Sequence, residues 1–97
     1  MAPTLRILRE ESPPSVTVQV EGTLDAATAA QLRAWLEALP APELVVDFSR
    51  VCQFQDAAVA VLTPALAGRV HRLLGLGPHQ ARVFRCFGLS PEHARRG

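Results

Sequence analysis

Residues 44–48 read Leu44-Val45-Val46-Asp47-Phe48, with Pro40 and Pro42 before them and Ser49-Arg50 after. An unbroken apolar run between turn residues suits a central strand covered on both faces. On its N-terminal side, Ala26 to Leu39 is rich in alanine. Ala29, Leu32, Leu36 and Leu39 fall three and four apart, so they share one face of a helix, and Trp35 flanks that stripe. Asp25 stands where an N-cap belongs, and Pro40 and Pro42 stop the helix. On the C-terminal side, Asp56 is placed to cap a second helix running to about Ala67, with Gly68 after it. Pro64 lies inside that helix. It removes one backbone bond and is expected to kink the helix, at about 3 kcal/mol unless packing offsets it.

Further out, Val16, Val18 and Val20 alternate with Thr17, Gln19 and Glu21. Strict period two with valine on one face means a strand with one buried and one wet side. Leu5 and Ile7 alternate with Arg6 and read as a short first strand. Ser12-Pro13-Pro14-Ser15 turns between the two strands, making a hairpin. Val70 to Leu74 is a further strand, and Gly75-Leu76-Gly77 a turn. Pro78 suits the first position of a third helix, whose apolar face is Val83, Phe84 and Phe87, and Gly88 suits its left-handed cap. Ser90-Pro91-Glu92 is expected to start a last helical turn. The order is β-β-α-β-α-β-α: an α/β fold with a mixed four-stranded sheet, packed helices and right-handed crossovers, one domain over residues 1–97.

Composition agrees with that size. The chain has 97 residues, 48% of them hydrophobic, and a net charge of +1. One core is affordable at this length. The charge lacks the electrostatic footprint of a nucleic-acid binder, and Arg95-Arg96 reads as a frayed tail. The longest apolar run, Ala57 to Leu62, falls far short of the roughly 20 residues of a membrane span, so no direct membrane insertion is expected. No secretory signal precedes Cys52 and Cys86, and two cysteines make no disulfide framework. The expected location is the cytoplasm, with reduced thiols.

Three stretches together resemble one family. Gly22-Thr23-Leu24-Asp25 is similar to the motif that opens the first helix of STAS domains. Leu44 to Val51 resembles their central strand and the turn after it. Phe54-Gln55-Asp56-Ala57-Ala58 occupies the place of their signature loop. The resemblance implies a bacterial anti-sigma factor antagonist. Such proteins bind a kinase-like anti-sigma factor, release a sigma factor and so regulate transcription by partner switching. The kinase turns them off by phosphorylating a Ser or Thr directly after the Asp of the signature loop. That position is Ala57 here, with Ala58 next, and neither has a hydroxyl. Gln55 stands where the family usually has an apolar residue, and Val59 where it often has Gly. The resemblance therefore implies the binding fold without the phosphorylation switch.

Other constellations carry less. Cys52, His71, His79, Cys86 and His93 include no pair in zinc-ligand spacing, so they read as surface histidines and small buried thiols. Cys52, just past the central strand, reads as packed rather than nucleophilic. Ser49 is expected to bond amides in its turn, and Thr63 to back-bond within the helix before Pro64. Gly75-Leu76-Gly77 lacks the third Gly, the Lys and the Ser/Thr of a phosphate loop. Asp25 and Asp56 have capping roles and Asp47 ends a strand, so no carboxylate cluster, metal or other cofactor is expected.

The expected site is a protein-binding surface made of Gly22, Leu24, Asp25, Gln55, Asp56, Ala57 and Ala58, with Cys52 to Ala58 and Gly22 to Asp25 as neighbouring turns. No catalytic residue is assigned. The expected partner is an anti-sigma factor or kinase-like protein. The alternative, also implied by the resemblance, is the ATPase of a lipid-transport ABC system, which the chain would brace as an accessory subunit. An enzyme would need a nucleophile–base pair or a metal cluster, and neither is read here.

Overall fold

Alternation along two neighbouring strands sets the architecture. The computed structural model describes residues 5–12, 15–40, 43–67, 70–89 and 92–93. In chain order the elements are β1 (Leu5–Ser12), β2 (Ser15–Leu24), α1 (Ala26–Glu37), β3 (Glu43–Phe54), α2 (Asp56–Leu66), β4 (Val70–Leu74), α3 (Pro78–Cys86) and β5 (Glu92–His93). β1 and β2 form the antiparallel hairpin, with Leu5 opposite Gly22 and Ser12 opposite Ser15. β2–β3 and β3–β4 are parallel pairs. These four strands make the mixed sheet read from the sequence. Two residues of β5 extend its edge, antiparallel to β4, where a helical turn was expected from Glu92.

Burial alternates in both central strands. Val16, Val18 and Val20 of β2 and Leu44, Val46 and Phe48 of β3 are buried, while Thr17, Gln19, Val45 and Asp47 are half-buried. The buried side chains join Ala29, Leu32 and Leu36 of α1, Ala58, Val59 and Leu62 of α2 and Phe84 of α3 in one core. The helices thus cover one face of the sheet, and β3 is not enclosed on both faces as its apolar run suggested. Three rings close one end of the core. The Phe48 and Phe54 centroids lie 5.2 Å apart, and Phe84 sits 6.2 and 6.3 Å from them.

Several local expectations need correction. β1 is eight residues long rather than short, because the whole of it finds partners on β2. α1 ends at Glu37, two residues before Leu39, although Leu39 stays buried. β3 runs on through Ser49-Arg50 to Phe54, so Ser49 and Cys52 lie in a strand, not in a turn. The register shifts between Gln19 and Glu21 and between Gly22 and Thr23 place an extra β3 residue at each point. Such bulges let a strand continue while breaking its alternation. Cys52 and Cys86 are exposed, not buried thiols. His71 is buried, not a surface residue, because β4 aims it to the helix side beside Leu73. Phe87 is 48% exposed and lies past the end of α3.

The remaining helix signals hold. Thr63 Oγ1 donates to the Val59 carbonyl at 2.8 Å. Pro64 falls in the last turn of α2, so the backbone bond that its missing amide removes lies at the end of the helix. Pro78 opens α3, and Gly88 takes φ +86° after it. There the Gly88 amide donates to the Arg85 carbonyl and the Leu89 amide to that of Phe84, both at 3.0 Å. This is the paired-bond helix stop that needs a left-handed residue. The Pro13-Pro14 turn, Pro42, Gly68, Ser90-Pro91 and Arg95-Arg96 lie outside the described residues.

Candidate functional site

Parallel strands put their C-terminal ends on one edge, and each here is followed by a helix. The N-termini of α1, α2 and α3 therefore share the rim above β2, β3 and β4. Leu24 and Phe54 are register partners at the ends of β2 and β3. The Gln55 amide donates to the Leu24 carbonyl at 2.9 Å, tying the second turn to the first. The two expected segments, Gly22 to Asp25 and Cys52 to Ala58, are thus brought side by side.

The first turn is tightly built. Gly22 holds φ +106° at the second bulge, a region open to residues without a Cβ. Asp25 Oδ1 accepts from the Thr28 amide at 2.9 Å, and Thr28 Oγ1 accepts from the Asp25 amide at 2.9 Å. This reciprocal cap satisfies two orphan donors at once. Thr28 Oγ1 also lies 2.9 Å from the Thr23 carbonyl and donates to it. The Thr28 amide, first among the causes, holds the Asp25 carboxyl below its ordinary 3.8. Asp25 is thus the cap the sequence indicated, and Thr28 is its unforeseen partner.

The second turn is built differently. Gln55, not Asp56, is the N-cap of α2, and it makes no side-chain cap bond. Asp56 is the first helical residue. Its carboxylate turns sideways to His79 at the start of α3, with Nε2 at 2.8 Å from Oδ1 and 3.0 Å from Oδ2. The expected cap of α2 is therefore replaced by a clasp between two helix starts. Both partners are more than half exposed. His79 joins the site from a distance of 23 positions, which no local pattern announces.

Exposure separates the expected site residues. Gln55, Asp56 and Ala57 face solvent, and Gly22 and Asp25 are half-buried. Leu24 and Ala58 are fully buried in the core, so their side chains cannot touch a partner. The tip of α2 is therefore a small surface: Gln55, the Asp56–His79 pair and the methyl of Ala57, with Ala26 and Ala27 exposed at the start of α1. Among the described residues no three His, Cys, Asp or Glu side chains come together to hold a metal. Among the same residues no helix is long and apolar enough to cross a membrane. Asp47, below the rim, has its carboxyl lowered from 3.8, first by the Ser49 side chain and then by the Ser49 amide, which donates to it at 2.9 Å.

Comparison with known proteins agrees with this fold. The family model described as "Mlab, STAS domain" matches residues 7–91. No curated protein matches the chain. Among solved structures, the anti-sigma factor antagonist SpoIIAA in its unphosphorylated form superposes with a TM-score of 0.71 at 17% identity, over 95% of this chain and 90% of that one. An anti-sigma factor antagonist from Mycobacterium paratuberculosis gives 0.69 at 22% identity, over 95% and 87%. An antisigma-factor antagonist STAS domain from Rhodobacter sphaeroides gives 0.59 at 22%, over 73% and 86%. At these identities the structures speak for the fold, and the family match covers most of the sequence. The chain belongs to the STAS domain family.

Proposed function

We propose that this chain is a non-enzymatic, cytoplasmic binding module of the anti-sigma factor antagonist kind, which docks a regulatory protein on the tip of α2. The observation that carries the reading is the exposed, hydroxyl-free start of that helix. Gln55, Asp56 and Ala57 project there, beside the first turn, which ends in Asp25. Small side chains let a partner's backbone come close.

A phosphoryl group would add about −1.5 to −2 charges and three acceptor oxygens at such a site. At a helix N-terminus the fold would tolerate it, because anions are stabilised there. A partner built for a neutral surface would be repelled. Ala57 has no oxygen to phosphorylate, so binding is constitutive or follows the state of the partner. Incubation with the kinase-like partner and nucleotide should leave the Cys52 to Ala58 segment unmodified, and Ala57→Ser should make it an acceptor. Phosphate on that segment of the wild-type chain would refute the reading. Recovery of an ATPase with its own Walker motif, in place of an anti-sigma factor, would replace it with the transport-accessory role.

A further inference from the structure

The face of the sheet turned away from the helices carries its own pattern. A sheet with antiparallel edges can leave one face to water, and the helices here pack on one face only. Among the described residues, Leu8, Leu74 and Phe87 are the large apolar side chains left exposed. Leu8 and Leu74 both belong to the open face and to a single row across it. Register places Leu8 beside Gln19, Gln19 beside Asp47 and Asp47 beside Leu74. The next row is Glu10, Thr17, Val45, Arg72 and, on the two-residue β5, Glu92. On the other side, Arg6 pairs with Glu21 and Glu21 with Arg50. A hollow lined by Leu8, Arg9, Glu10, Thr17, Gln19 and Asp47 opens beside β1.

We propose that a second copy of this chain covers the open face, related by a two-fold axis that runs along the strands between β2 and β3. Such an axis lays β1 of one copy over β4 of the other and β2 over β3, and it returns each row to itself. The contact is isologous, so every pairing occurs twice. Leu8 meets Leu74 of the second copy, and Glu10 meets its Arg72. Gln19 and Asp47, which share a side-chain hydrogen bond within the chain, and Glu21 and Arg50, 3.9 Å apart within the chain, face the complementary members of the same pairs in the second copy. Within these rows no like charges face each other. Arg72 has contacts within its own chain, and the Glu10 carboxylate adds to them. Aligned sheets pack about 10 Å apart with their strands crossed by about 30°, which long Glu and Arg side chains can span. The interface leaves the rim with the α2 tip uncovered, so the purified chain tests it without any partner protein.

Light scattering and sedimentation of the purified chain should give a mass about twice the 10.5 kDa of one copy. Glu10→Arg and Arg72→Glu, each alone, set like charges opposite each other at both ends of the interface, and each variant should be monomeric with its fold intact by circular dichroism. Mixing the two variants should restore a dimer, because every facing pair is then of opposite charge. Leu8→Gln, on the exposed edge strand, should weaken self-association at least about tenfold through its two lost apolar contacts. A wild-type chain that stays monomeric at every concentration overturns the proposal. So does a dimer that survives either charge reversal, or a mixture that fails to reassociate.

Discussion

The starts of α1 and α2 are neighbours, follow register-paired strand ends and share a spacing, but they are wired in different ways. At α1 the N-cap is Asp25 and the third helical residue Thr28, and the two exchange bonds. At α2 the same positions hold Gln55 and Ala58, and no side chain caps the helix. Its aspartate comes one residue later and reaches across to His79. One start is closed on itself and buried at Thr28. The other keeps its first-turn amides without a side-chain acceptor and spends its carboxylate on a surface clasp. The contrast teaches that an aspartate near a helix start is a cap only at the right offset. It also separates a rim position closed by its own side chains from one left exposed.

The largest effect of breaking this contrast is expected at Thr28. Thr28→Val keeps the shape but strands the Asp25 amide and the Thr23 carbonyl, and denaturant unfolding should show a loss of about 2 kcal/mol. Asp25→Ala removes the acceptor alone and should cost about 1 kcal/mol. The same carboxylate sets an acid signature. The Asp25 and Asp47 carboxyls titrate lower in the folded chain than their ordinary 3.8. Their contribution is therefore present above about pH 4 and lost as pH falls through the folded values. Asp25→Ala should lose less stability than wild type as pH falls below about 4.

Making the second start resemble the first sharpens the comparison. Gln55→Asp supplies the missing acceptor and should stabilise the chain by roughly 0.5–1 kcal/mol. It should also weaken docking at the proposed surface. The smallest effect is expected from His79→Ala. An exposed pair of this kind contributes at most about 1 kcal/mol, and thermal melts should shift little.

What the sequence made legible was local. Val16, Val18 and Val20 announced a one-sided strand, Asp25 its cap, Ala29, Leu32 and Leu36 a helix stripe, and Pro78 and Gly88 the ends of α3. Each depends on residues within a few positions. The misreadings that bear on the site involve distant partners. Val45 looked like the middle of a doubly covered strand, because an apolar run does not say where the helices lie. Ser49-Arg50 looked like a turn, because bulges add residues that only the opposite strand reveals. Asp56 looked like a cap, because nothing near it points to His79. Ala58 looked like surface for the same reason: the core that buries it comes from the rest of the chain.

The most direct measurement is capture from native-cell extract on three immobilised proteins: wild type, Ala57→Arg at the tip of α2, and Ala34→Arg at an exposed position in the second half of α1. Mass spectrometry should find one regulatory protein retained by wild type and by Ala34→Arg and lost from Ala57→Arg. Equal retention by Ala57→Arg, or no retained protein on any of the three, would contradict the account.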